Sequence, residues 1–328
     1  MLLRFFRSIG TPMLFFIPFM GLFFWFHDLV KVPTVPFPFD VHPMPLFTFF
    51  TQWLPANAVG GSILALSLVV IQGFLLIRLN TRFILINNRT YLPALFFIVT
   101  TACIPEIQRM NPVIFSGFFM LLAIERMLES YHRHQLAYEV FNASLFVSVG
   151  ALFYPFMSLM MLSIWISLSI LRSFNWREWA FTIVGFLTPL FFAFSYFYLV
   201  YSQPWKVFES FRDAIFTQIP MHKPSLGSII FIIFSLILLL ISSRHMLRAY
   251  QSMKILPRKT FNIFLWIFLN VVMIYLLFPS AGSELIFLGA IPVSFLLSHY
   301  FTILRSNFWG NSFIFCMLAI LVWIQFFQ

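Results

Sequence analysis

Residues 226–242 read LGSIIFIIFSLILLLIS, an apolar run without a single charged side chain. Coiled into a helix, a stretch of about 20 such residues matches the hydrocarbon thickness of a bilayer. Ten further apolar segments recur, near 11–26, 57–77, 91–104, 112–125, 140–153, 156–171, 179–200, 261–278, 285–303 and 312–327. Several fall short of a full span, so tilted, broken or re-entrant helices are expected among them. Only 9% of residues are charged, against roughly 25% in a soluble domain, which leaves too little polar surface to face water. The apolar residues come in blocks rather than strict alternation, which excludes an outer-membrane barrel. Two cysteines, Cys103 and Cys316, exclude a disulfide scaffold. The expected fold class is therefore all-α. We read a single transmembrane domain over residues 1–328, a polytopic integral membrane protein with about eleven transmembrane helices.

The net charge of +10 would point to nucleic acid in a soluble chain, but the placement of the charges argues for topology. With a cytoplasmic N-terminus, the inner connections hold 15 of the 20 basic residues, including Arg4 and Arg7. The outer connections hold Lys31, Arg109, Lys206, Arg212 and Lys223. That asymmetry is the positive-inside rule, and it predicts an outer C-terminus. Membrane lipids are the expected partners, with anionic head groups near the basic inner loops, and nucleic acid is not. Arg4 and Arg7 before an apolar run also resemble a leader, but no small-residue cleavage site follows Trp25. Pro12 and Pro18 predict a kinked first span instead.

Ionisable residues are nearly absent from the span centres, so neither a buried proton relay nor an arginine-rich voltage sensor is present in the sequence. Six of the ten acidic residues fall on the outer side: Asp28, Asp40, Glu106, Glu209, Asp213 and Glu284. The first outer loop, 27–56, holds His27, Asp28, Asp40 and His42 among six prolines and many aromatics. Its prolines predict no regular helix, and its aromatics predict an interfacial position. The second outer connection, from Pro105 to Pro112, is a tight turn carrying Glu106 and Arg109. The fourth, 201–225, places Phe208, Phe211, Ile215 and Ile219 at helical spacing, as in an amphipathic helix on the membrane surface. Each group has a plain alternative: a solvated span end for Asp28, a common loop pattern for Asp40 and His42, a local ion pair for Glu106 and Arg109. Gly-rich phosphate loops, zinc signatures and nucleophile elbows are absent. His132-Arg133-His134 sets two histidines on different helix faces and reads as an inner charge cluster.

The order of features from residue 11 to about 200 resembles the GT-C type membrane glycosyltransferases, the group of protein mannosyltransferases and aminoarabinose transferases. The likeness is carried by a first span ending at Asp28 and a long outer loop running through Asp40. YLPALFFIVTTACIP and NPVIFSGFFMLLAIER then form paired short segments around Glu106 to Asn111, before FNASLFVSVGALFYP and a long segment with Thr188-Pro189. The acidic residues stand twelve positions apart where GT-C proteins usually have an adjacent pair. PEIQRMNPVIFSGFF, FNASLFVSVGALFYP and LRSFNWREW are also similar to a family of polytopic Bacteroidota proteins with no assigned function. The GT-C resemblance implies an outer-face site using a polyprenyl-phosphate sugar in a bacterial inner membrane. In it Asp28, or else Asp40, would act as base, Arg109 would stabilise the leaving phosphate, and Glu106 would orient that arginine or touch the sugar. Lys206, Arg212 and Lys223 are alternative phosphate contacts. Some GT-C enzymes use a divalent metal, for which Asp28, Asp40 and His42 would supply ligands. Two readings stand beside a transferase: a transporter of lipids or amphiphiles, and a non-catalytic membrane subunit of an envelope complex.

Overall fold

A computed structural model describes residues 12–30, 38–52, 58–86, 90–131, 137–202, 205–216, 224–304 and 307–327. Every regular element among them is a helix: α1 (Pro12–Val30), α2 (Pro38–Val41), α3 (Pro45–Gln52), α4 (Ala58–Phe83), α5 (Leu92–Thr101), α6 (Pro112–Ser130) and α7 (Ala137–Phe153). After a 3₁₀ turn, Pro155–Met160, come α8 (Met161–Leu171), α9 (Trp176–Tyr201), α10 (Lys206–Phe216), α11 (Leu226–Ala249) and α12 (Ile255–Leu277). The turn Ser283–Leu285 then leads into α13 (Ile286–Ile303), followed by α14 (Asn307–Phe327). The sequence marks several boundaries. Asn111 accepts a hydrogen bond from the Val113 amide at 2.8 Å, with Pro112 in the first helical position of α6. Asn175 caps α9 through Arg177 in the same manner. Pro155 ends α7 by forcing Tyr154 into an extended conformation (φ −139°, ψ 117°).

Among the described residues each of the eleven apolar segments forms a helix, but six of those helices are long and apolar enough to cross a membrane: α4, α9, α11, α12, α13 and α14. Four others, in α1, α5, α7 and the Pro155–Leu171 stretch, are shorter apolar helices. The reason is clearest in α5. Its ten residues are all buried, yet at 1.5 Å per residue it is about 15 Å long, half the hydrocarbon core of a bilayer. Its apolarity serves packing inside the protein, as with Phe96 against Phe301 of α13 at 4.9 Å between ring centres.

The bundle is organised around α13, which packs against α5, α6, α11 and α12. Of its most apolar stretch 83% of residues are buried, against 6% for α9. Thus α13 is the core helix, and α9 lies along the outside of α7. Helices α4 and α6 run parallel: Gly61 faces Met110, Gln72 donates to the Ile114 carbonyl at 2.7 Å, and Arg82 reaches Glu125 at the far end. One pole of the bundle therefore carries the 105–112 turn. The opposite pole carries Arg78, Arg82, Glu125 and Glu129.

Asn270 ties α12 to the neighbouring turn, donating to the Leu159 carbonyl at 3.1 Å and to Ser163 Oγ at 2.9 Å. Its replacement by leucine removes both bonds while keeping the volume. The expected loss is about 1 kcal/mol, read by SDS titration of the protein in mixed micelles.

The described part of the 27–56 segment departs from expectation. Its prolines open helices rather than preventing them, because Pro38 and Pro45 occupy first positions where no amide hydrogen is needed. Phe47 of α3 then docks with Phe115 and Phe153, which seats this segment on the ends of α6 and α7.

Candidate functional site

Asp40 lies in the single turn of α2, directly before α3. Arg109 follows the 3₁₀ turn Pro105–Ile107 between α5 and α6. The guanidinium donates to Asp40 Oδ2 across 69 positions of sequence, with Arg109 largely buried and Asp40 about one-third exposed. Two candidates from separate loops thus meet as an ion pair. Glu106 sits half-buried in the same turn. That turn also touches α1, the helix that contains Asp28. Helix α1 runs on to Val30, past the expected span end, and the side chain of Asp28 lies outside the described residues.

Beside this pair is a small cavity lined by His42, Tyr154, Phe156, Ala214, Ser280 and Glu284, among others, with room for about one water molecule. His42 is half-buried. Glu284 is fully buried in the turn before α13. Its Oε1 accepts hydrogen bonds from the Tyr154 hydroxyl and from the Gly282 amide, both at 3.1 Å. Burial, and then the adjacent Glu284 carboxylate, hold the Tyr154 phenol well above its ordinary range, so it stays a donor. Ser280 donates to the Ile215 carbonyl at 2.6 Å and fastens the end of α10 over the cavity.

Helix α10 is amphipathic as expected, but its inward stripe is Val207, Phe211 and Ile215, while Phe208 faces outward. Residues 217–219, including Ile219, lie outside the described residues. Lys206 is exposed and sits over the rings of Tyr201 and Phe197, at 5.2 and 5.8 Å from their centres. Arg212 is exposed and bonds its neighbour Asp213 at 3.1 Å. Neither contact joins them to Asp40 and Arg109. Lys223 lies outside the described residues, as do Lys31 and the 132–134 cluster.

Of the metal ligands that the GT-C resemblance implies, Asp40 and His42 lie among the described residues and the side chain of Asp28 does not. Asp40 is engaged by Arg109, and no group of three or more His, Cys, Asp or Glu able to hold a metal occurs among the described residues. Sequence reasoning placed Glu284 at a span boundary and overlooked Tyr154 as its partner. The signal was a carboxylate at the head of a 19-residue run, 285–303, otherwise free of acidic and basic side chains except His299. Such a residue is a functional candidate by default.

No curated protein matches the chain. No solved structure matches it either. Residues 39–328 match the model of DUF6427, described as a family of unknown function, and the chain belongs to that family.

Proposed function

We propose that the protein works at the outer face of a bacterial inner membrane as a GT-C-like transferase, moving a sugar from a polyprenyl-phosphate donor. The observation that carries this reading is the meeting of Asp40 and Arg109 at one pole, beside the Glu106 turn that touches α1. Arg109 is the group for the donor phosphate, because a guanidinium binds phosphate through paired, charge-assisted hydrogen bonds. The anion displaces Asp40 from Arg109, and the released carboxylate accepts the acceptor's proton as the new glycosidic bond forms and the sugar–phosphate bond breaks, leaving polyprenyl phosphate on Arg109. Asp28, on the helix touching the same turn, is the second candidate base. Glu106 orients the turn and through it Arg109. His42 lies on the same loop as Asp40, while Lys206 and Arg212 provide positive charge near the membrane surface, with Lys223 a further candidate from the sequence.

A second reading, a non-catalytic membrane subunit, draws support from the mutual neutralisation of Asp40 and Arg109 and from the largely unburied α9.

Binding of undecaprenyl phosphate to the purified protein separates the two. In the transferase reading Arg109→Gln weakens binding about tenfold. Asp40→Asn, which takes the carboxylate charge away from Arg109, leaves binding equal or tighter but lowers transfer of a labelled sugar from the donor. Equal loss of stability in both variants, with binding unchanged in each, supports the subunit reading and overturns the transferase.

A further inference from the structure

Between Asp213 and Glu284 the sequence has no acidic side chain, yet Arg244, Arg248, Lys254, Arg258 and Lys259 cluster where α11 ends and α12 begins. Lys259 Nζ lies 5.0 Å from the centre of the Tyr131 ring, directly after α6, so this is the pole that carries Arg82 and Glu125. Two groups of cations share that pole and differ in what they meet. Arg78, Arg82 and Arg126 are matched by Glu125, Glu129 and Glu139, and Arg172 pairs with Glu178 at 3.2 Å. The cations of α11 and α12 meet no carboxylate among the described residues. Their neighbours cannot supply one, because α8, α13 and α14, which pack against α11 and α12, contain no Asp or Glu.

Lys259 is turned inward, donating to the Leu171 carbonyl at 3.0 Å. Arg258 is half-buried, its guanidinium held 5.3 Å from the centre of the Tyr250 ring. A guanidinium brings only donors, and those of Arg258 meet no acceptor among the described residues. Arg244, Arg248 and Lys254 are exposed, and so are the apolar Leu247 and Ile255 between them. Both α11 and α12 are long and apolar enough to cross a membrane, which puts their short connection at the level of lipid head groups. A soluble polyanion would use the cations and leave Leu247 and Ile255 in water, whereas a lipid serves both. We propose that the end of α11, the start of α12 and the connection between them bind the phosphate head group of an anionic phospholipid. Arg258 is the fork for the phosphate, and Arg248 and Lys254 flank it. The lipid supplies the counter-charge that the chain withholds there.

The test is thermal unfolding of the purified full chain in detergent, titrated with dioleoyl phosphatidylglycerol or with dioleoyl phosphatidylcholine at equal mole fraction. A ligand that binds only the folded state raises the midpoint in a saturable way. We expect that rise with phosphatidylglycerol and not with phosphatidylcholine. Arg258→Gln, and separately Arg248→Gln combined with Lys254→Gln, weaken the apparent affinity about fivefold per charge removed. Arg78→Gln takes a charge from the same pole, but from the group matched by carboxylates, and leaves the response unchanged. Should Arg258→Gln fail to fold, the exposed pair carries the comparison. Equal rises with the two lipids overturn the proposal. So does an equal loss in Arg78→Gln and Arg258→Gln, which marks diffuse surface charge rather than a site. A rise with glycerol 3-phosphate that matches the rise with phosphatidylglycerol marks a site for free anions and overturns the lipid assignment. None of these outcomes depends on sugar transfer.

Discussion

Replacing Arg82 with methionine is expected to destabilise the protein by about 3 kcal/mol, read by SDS titration in mixed micelles. Arg82 donates to Glu125 at 2.5 Å and to Glu129 at 2.8 Å, joining α4 to α6 at the pole opposite the candidate site. The two carboxylates are 5% and 11% exposed, so they depend on this guanidinium for counter-charge. Arg126 reaches Glu129 and Glu139, and Arg78 reaches Glu125 at 3.3 Å. Arg78 is 61% exposed, and a solvated pair of that kind contributes little. Loss of Arg82 therefore leaves the buried Glu125 with the solvated Arg78 as its counter-charge among the described residues. Adding Glu125→Gln to Arg82→Met should recover part of the loss, because a neutral amide is cheaper to leave buried. Arg82→Lys should fall between, since an ammonium cannot span two carboxylates as a planar fork does. A cost below about 0.5 kcal/mol for Arg82→Met would show a solvated surface cluster instead.

Gly185→Ala should loosen α9 from the bundle at a cost of about 2 kcal/mol, although alanine is ordinarily the better helix former. A Cβ at this position would stand 2.2 Å from Ser144 Oγ and 2.5 Å from the Phe141 carbonyl oxygen. The serine can rotate away, but the carbonyl belongs to the backbone of α7, so the helices must separate. Helix α9 packs chiefly along α7, and only 6% of its most apolar stretch is buried. It has few other contacts to hold it. Hydrogen exchange in α9 should rise in the variant while that of α13 stays unchanged. Gly73→Ala is the control, since a Cβ there meets Ala94 Cβ at an ordinary 3.4 Å. It is expected to be neutral or mildly stabilising.

The apolar segments announced the helices, because a helix removed from water must satisfy its backbone internally and present apolar side chains outward. Periodicity alone could not separate a helix wrapped in lipid from one wrapped in protein. For that reason α5 reads like a span although its length makes it a buried filler against α13. The same limit applies to the candidate site. Charge placement selected Asp40 and Arg109 individually, but a separation of 69 residues carries no distance. The spacing between Asp28 and Asp40 carries no distance either, and the described partner of Asp40 is a cation on another loop. Lys206 and Arg212 stood in the sequence as alternatives to Arg109. Their exposure on α10, against Arg109 at 16%, sets them apart.

By itself the sequence determined the all-helical class and the approximate position of every long helix among the described residues. Each follows from local transfer energetics, in which apolar side chains and hydrogen-bonded backbone go together. Tertiary structure alone decided that α13 is the core and α9 the flank, and that Tyr154 meets Glu284 across 130 residues. Those outcomes depend on which helices pack against which, a choice settled by shape at places such as Gly185 and by charge compensation at Arg82 and Arg109. Such complementarity exists only between surfaces that the folded chain has already brought together.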